Sequence, residues 1–208
     1  MRRVWVIGSG GHAKVVIDTL RASGECEVAG VLDDDPERCG TEVLGVPVRG
    51  EVSERSIARF GIESAVIAIG SNTARAEVAR RFGHRLSWDR AVHPTAYLAP
   101  GVRLGEGSVV NAGAIIQPDT VIGDHAILNT MCSVDHDGAI GDFAHVGPGA
   151  HLAGNVRVGE GAFLGVGSCV VPGRLVGDWS TVGAGGVVVT DIPGGVTAKG
   201  VPARFTGA

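Results

Sequence analysis

Three short stretches of the chain hold side chains whose types and spacing could do chemistry. The first is Asp135-His136-Asp137. An imidazole between two carboxylates has its tautomer fixed and its conjugate acid stabilised, which suits a general base near neutral pH. The competing reading is an exposed turn histidine with solvated neighbours. The polar run from Asn129 to Asp137, in a region otherwise rich in Gly and Ala, favours the base. The second stretch is Gly8-Ser9-Gly10-Gly11-His12-Ala13-Lys14, which follows an apolar run and precedes an amphipathic one. Its Gly-x-Gly-x-x-Ala spacing lets backbone amides and a helix N-terminus cradle a phosphate. The third is Asp33-Asp34, placed about twenty residues later, where a carboxylate can meet a ribose or a base. His12 is either a further phosphate or sugar donor or a plain loop residue. His145 and His151 serve a site or face solvent at a corner.

The elements that must position the second and third stretches read as a small α/β unit over residues 1–88. A strand over 2–8 leads into the Gly-rich turn, and the helix after it carries Val15, Val16 and Leu20 on one face. A second strand spans 27–33, a short extended piece 43–48, a helix 53–60 and a third strand 65–69, ending at Gly70-Ser71-Asn72. A helix over 73–82 then hands over through residues 83–91. Strands alternating with helices predict a small parallel sheet. About three strands is half of a dinucleotide-binding fold, so a nucleoside diphosphate is a better match than a dinucleotide.

His136 belongs to a different architecture. From Val92 to Val188 an aliphatic residue recurs every six positions, and the fourth residue after it is small or Val except at Arg174 and Ile192. A period of six is the mark of a hexapeptide β-helix, in which each hexad supplies one short strand and one turn. The aliphatic side chain enters the prism, the small residue lies beneath it, and the Gly that often follows the aliphatic residue eases the turn backbone. Three hexads per coil give between five and six coils with no insertion, over residues 89–208. Cys132 falls in a small-residue slot, where packing is its expected role.

Bulk composition narrows the classes. The 34 glycines lack a Gly-X-Y period and fit a turn-dense solenoid rather than collagen. A net charge of −4 gives no case for nucleic-acid binding. Cys26, Cys39, Cys132 and Cys169 form no CxxC or ligand cluster, which fits reduced thiols in the cytoplasm and no bound metal. No signal-like apolar segment and no run of membrane-spanning length is evident.

With these features in hand, the sequence resembles the bacterial nucleotide-sugar acetyltransferases of the sialic-acid O-acetyltransferase-like group. The resemblance rests on GSGGHAK at 8–14, LDDD at 32–35, AIGSN at 68–72, NTMCSVDHD at 129–137, IGDFAHVGPGAHLAGNVRVG at 140–159 and KGVPAR at 199–204. It implies a half-Rossmann-like α/β domain followed by a left-handed parallel β-helix, a homotrimer with active sites between subunits, and acetyl-CoA as donor. It also implies that His136 is the catalytic base and Asp137 the carboxylate that raises its basicity. His145, Val166 and Ala184 fall where the family contacts acetyl-CoA. Gly10, Gly11, His12, Asp33, Asp34 and Gly70 fall where it contacts the nucleotide sugar.

The implied reaction is acetyl transfer to the amino group of a nucleotide-linked 4-amino-4,6-dideoxy sugar. Transfer to a sugar hydroxyl, as on a sialic acid, is the nearest alternative, because the same base serves it. A zinc hydratase on the same solenoid is less favoured, since His136, His145 and His151 lack the spacing of its ligands. A non-catalytic trimeric scaffold is the remaining class.

Overall fold

The computed structural model describes residues 2–205; Met1, at the start of the expected first unit, and residues 206–208, at the end of the second, lie outside the described residues. The first part of the chain alternates strand and helix: β1 (Arg2–Ile7), α1 (Gly11–Ser23), β2 (Cys26–Leu32), β3 (Glu42–Val43), β4 (Val46–Gly50), α2 (Glu54–Phe60), β5 (Ser64–Ile67), α3 (Asn72–Phe82) and β6 (Ser87–Trp88). Val4, Trp5, Val6 and Ile7 of β1 are all buried, as expected of a strand covered on both faces.

The sheet has the order β3-β4-β2-β1-β5-β6, so it is larger than the three strands expected, and it is mixed. All its pairings are parallel except β3 with β4. The extended piece expected over 43–48 is part of a hairpin. Leu44 and Gly45 both have positive φ, 48° and 75°, which turns the chain back on itself within two residues. Neither residue forms part of the Asn-Gly or Asp-Gly pair that normally announces such a turn. Helix α1 starts earlier than the apolar pattern suggested, at Gly11, so His12 lies in its first turn.

The second part is a left-handed parallel β-helix. Its two-residue strands, β7 (Ala91–Val92) to β24 (Thr197–Ala198), form three faces of 7, 6 and 5 strands. The first face carries Ala91, Val109, Ile127, His145, Phe163 and Thr181 pointing outward; the second carries Ile115, Ser133, His151 and Cys169; the third carries Ala139, Arg157 and Leu175. The aliphatic residue of each hexad points inward, and from Val110 to Val188 each one is at most 3% exposed. Cys132 lies among them, fully buried.

Two details of the hexad differ from the sequence expectation. The left-handed turn conformation sits at the third residue after each aliphatic position, from Gly101 to Gly185, and not at the glycine directly after it. That second glycine answers a close approach between coils. A Cβ built on Gly141 would stand 2.7 Å from the Glu160 amide nitrogen, and one on Gly165 would stand 2.6 Å from that of Ala184. The period also slips at the end. Ile192 pairs with Val176, and Thr197 with Thr181, sixteen residues on where the earlier coils use eighteen. Ile192 is therefore a core residue, 1% exposed, and the coil below Arg174 is two residues shorter than the others. The Arg174 side chain lies instead beside Asp191, with 3.8 Å between Nη1 and Oδ1.

The α/β part docks on the first face of the prism. Ala91, Val109 and Ile127 share one core with Ala13, Val16, Ile17 and Leu20 of α1.

Candidate functional site

A cavity of about 470 Å³ opens at the C-terminal ends of β1, β2 and β5, lined by Gly8 to His12, Asp33, Asp34, Val52, Ala68 to Gly70 and Val78. This edge of a parallel sheet, beside the N-terminus of α1, is where such folds bind phosphorylated ligands. A Cβ at Gly10 or Gly11 would meet nothing within 4 Å, so both backbones face open space.

The two carboxylates at this edge do different things. Asp33 Oδ2 accepts hydrogen bonds from the amide and the hydroxyl of Ser9, at 2.6 and 2.7 Å, and its Oδ1 accepts from the Asp35 amide at 2.9 Å. Burial pushes its carboxyl up, but these bonds outweigh burial and hold it below the usual carboxylate range. Asp33 therefore staples the Gly-rich turn to β2. Asp34 is exposed; its Oδ1 accepts from the Val52 amide at 2.8 Å, and Arg81 stands 4.0 Å from Oδ2.

His12 and His145 face each other with ring centroids 6.4 Å apart. Burial, with the Arg75 guanidinium adding to it, holds His12 down to about 4. Burial likewise holds His145 down to about 3, with Arg75 and His12 contributing. Both rings are neutral at pH 7, so His12 offers a hydrogen bond rather than a charge. Its Nε2 is buried without a partner. Asn129 Nδ2 lies 3.0 Å from His145 Nε2; as the amide donates there, the ring proton resides on Nδ1, which is also buried and unpartnered. A second cavity of about 350 Å³ adjoins, lined by Gly70 to Thr73, His145, Gly161, Phe163, Trp179 and Thr181. Gly70 belongs to the walls of both.

His136 stands elsewhere, at the corner between the second and third faces, with a largely exposed side chain. Its Nδ1 lies 2.8 Å from Asp137 Oδ2, and Asp137 itself takes the left-handed turn conformation, φ 57°. Asp135 instead accepts from the His136 backbone amide, at 2.9 Å. Asp137 is thus the ring's partner, and its hydrogen bond is the main reason the imidazole is raised above its ordinary value. With Nδ1–H held by Asp137, Nε2 is left free to take a proton.

Val166 and Ala184 occupy one further place, the corner between the first and second faces, where both are exposed. They lie on successive coils, and the Gly185 amide donates to the Val166 carbonyl at 2.8 Å. The single chain therefore brings Gly10, Gly11, His12, Asp33, Asp34, Gly70 and His145 together on one side. It places His136 and Asp137 on the prism corner opposite the face that carries the α/β part. Cys132, close to His136 in sequence, points into the prism, where burial pushes its thiol up to about 12 and removes it as a nucleophile. His136, His145 and His151 stand at a corner and on two different faces, and no cluster of metal-ligating side chains occurs among the described residues.

Sequence reasoning missed three participants. Gly154 lies one coil below His136 and leaves room for its ring. Arg75 and Asn72 tie α3 to the β-helix through main-chain carbonyls. The available signal for the last two was the Gly70-Ser71-Asn72 turn, with Arg75 in the first turn of the helix that follows it.

This geometry can be set beside known proteins. Residues 3–82 match the model of the PglD N-terminal domain. The crystal structure of PerB from Caulobacter crescentus, in complex with CoA and GDP-perosamine, is 49% identical, covers 100% of this chain and 98% of its own, and superposes with a TM-score of 0.93. The acetyltransferase domain of PglB from Neisseria gonorrhoeae FA1090, in complex with acetyl coenzyme A, is 36% identical, with 99% of each chain covered and a TM-score of 0.89. A UDP-N-acetylbacillosamine N-acetyltransferase of Bacillus subtilis (strain 168) is 39% identical over 113 residues, 53% of this chain and 51% of the relative. The chain spans about half, or less, of the length of the curated relatives it matches. Its full-length likeness to PerB and to the PglB domain carries the assignment: the chain belongs to the nucleotide-sugar acetyltransferases of the sialic-acid O-acetyltransferase-like group.

Proposed function

We propose that this protein transfers the acetyl group of acetyl-CoA to the amino group of a nucleotide-linked 4-amino-4,6-dideoxy sugar. The observation that carries the reading is the His136–Asp137 pair, a free Nε2 backed by a carboxylate at 2.8 Å, on a β-helix that also bears a Gly-rich cavity fit for a diphosphate. The relatives crystallised with CoA and GDP-perosamine, or with acetyl coenzyme A, support the choice of both substrates.

In this mechanism Gly10 and Gly11 offer amides to the diphosphate, His12 gives a neutral hydrogen bond, and Asp34 accepts from the base or ribose. The sugar amine attacks the thioester carbonyl. A C–N bond forms, His136 Nε2 takes the amine proton, and the C–S bond breaks. The proton then passes to the departing CoA thiolate, so no covalent enzyme intermediate is needed. A backbone amide or the neutral His145 ring stabilises the carbonyl oxygen as negative charge builds there. Val166 and Ala184 contact the cofactor.

His136 faces away from the cavity of its own chain, which supports a homotrimer in which it completes the site of a neighbour. The second face lies between the corner of His136 and that of Val166 and Ala184. Packing that face against a neighbour would put the donor between the two. A division into residues 1–88 and 89–208, and a cytoplasmic location, belong to the same reading. The four cysteines are unpaired, and among the described residues no helix is long and apolar enough to cross a membrane. Light scattering tests the assembly: a trimer mass is expected, and a monomer at micromolar concentration contradicts the shared site.

A further inference from the structure

Arg75 is buried, 1% exposed, and is the largest of the fully buried side chains. All its acceptors are neutral carbonyl oxygens. Nε donates to His125 O at 2.8 Å; Nη1 to Ile69 O at 2.9 Å and Gly70 O at 3.4 Å; Nη2 to Phe143 O at 2.7 Å and Asn72 Oδ1 at 2.8 Å. Asn72 extends the same contact, its Nδ2 donating to Gly161 O at 2.9 Å.

The partners fall into two sets. Ile69 and Gly70 form the wall of the nucleotide cavity, and Gly70 separates it from the second cavity. His125, Phe143 and Gly161 are left-handed turn residues at one corner of three successive coils. The amides of Phe143 and Gly161 join the ladder by donating to Asp124 O and Asp142 O of the coil before, and their own carbonyls point out of it. Arg75 and Asn72 supply the donors those carbonyls need. Phe143 lies two residues before His145, and Gly161 two residues before Phe163. A burial this deep without a carboxylate is costly, even though five hydrogen bonds satisfy the fork, and it needs a reason beyond joining two folded parts.

We propose that Arg75 is a positioning residue of the transfer reaction: its guanidinium fixes the Ile69–Gly70 wall of the nucleotide-sugar cavity against the coils that present His145 and Phe163, without touching substrate. The proposal rests on the nucleotide-sugar reading given above. A planar guanidinium can hold five acceptors in two directions at once, and an ammonium cannot. The same buried charge favours neutral rings at His12 and His145, which face each other across this wall.

The test is calorimetric titration of the full-length protein with GDP, or with UDP if the wild type prefers it, beside steady-state kinetics. Arg75→Lys keeps the charge and loses the fork; it is expected to weaken nucleoside diphosphate binding and raise KM for the nucleotide sugar by about tenfold or more, while CoA affinity stays within about twofold. A purely structural role lowers Tm and leaves diphosphate affinity at the wild-type value well below Tm; that result overturns the proposal. If Arg75→Lys does not fold, Asn72→Ala decides, since it keeps the guanidinium on its four main-chain acceptors and removes the Asn72 Oδ1 contact and the Gly161 tether. A loss of about threefold in diphosphate affinity is then expected, and wild-type affinity overturns the proposal. A wild-type protein that binds neither diphosphate removes the nucleotide-sugar reading itself, and this proposal with it.

Discussion

Gly154 leaves the space that the imidazole of His136 occupies. A Cβ at position 154 would stand 2.7 Å from both Cε1 and Nε2 of the ring, closer than any carbon contact allows. The methyl of Gly154→Ala therefore pushes the proposed base off its place while the prism core beneath stays filled. Turnover is expected to fall by about 10²-fold, as a shift near 1 Å typically costs, with the thermal midpoint little changed. Comparing kcat with Tm checks this; normal kcat in a folded variant would remove His136 Nε2 from the reaction.

The His136–Asp137 pair makes a second prediction, on pH. A general base works unprotonated, so with His136 in that proposed role the rate should rise with pH through the imidazole pKa, which Asp137 holds above its ordinary value. Asp137→Asn removes the main cause of that elevation and should shift the acidic limb of the kcat profile to lower pH, with only a mild loss at the plateau. His136→Ala should lose about 10²–10⁴ in rate and still bind acetyl-CoA. An unmoved acidic limb in Asp137→Asn would dissociate the carboxylate from the ring.

Buried neutral histidines make a third, on stability. His12 and His125 are held down to about 4 and His145 to about 3, chiefly by burial. Below the ordinary value of 6.5 the unfolded chain takes up protons that the folded chain does not. Stability is therefore full above about pH 6.5 and is lost progressively as pH falls towards 4. Thermal melts across that window should show Tm falling, and replacing His145 by a neutral isostere such as Gln should flatten the slope.

The repeat made most of this fold legible, because a core only one aliphatic residue wide forces a strict period of six. What the period could not reveal was which residue of each turn bears the conformational demand. Asp137, His125 and Phe143 adopt the left-handed conformation despite their side chains, so glycine alone was a poor guide. Ile192 was hidden for a related reason: a two-residue deletion moves it into a core slot that counting by six assigns elsewhere. The Asp33-Asp34 pair was visible as a pair, but its division of labour depends on the hydrogen bonds from Ser9, distant in sequence. Arg75 and Gly154 act across long sequence separations on groups in other elements, and no local pattern marks them.

Asp34 is the carboxylate still exposed at the cavity proposed to hold the nucleotide, which yields a fourth prediction. Isolated UDP or GDP should bind without acetyl-CoA and better than CDP, whose base has no ring N–H to offer a carboxylate. Asp34→Ala should weaken that binding and raise KM for the sugar substrate, leaving KM for acetyl-CoA unchanged. Calorimetry with the three diphosphates separates the outcomes; equal affinity for all three would take Asp34 out of base recognition.

The proposed reaction is acetylation of an amine on a nucleotide-linked sugar. Incubation with acetyl-CoA and a panel of UDP- and GDP-linked 4-amino-4,6-dideoxy sugars, followed by mass spectrometry, is the deciding assay. At least one nucleotide sugar is expected to gain a single acetyl group, stable to mild base as an amide is, and the gain is expected to disappear with His136→Ala. No gain on any nucleotide amino sugar, together with O-acetylation of a free sialic acid, would contradict it.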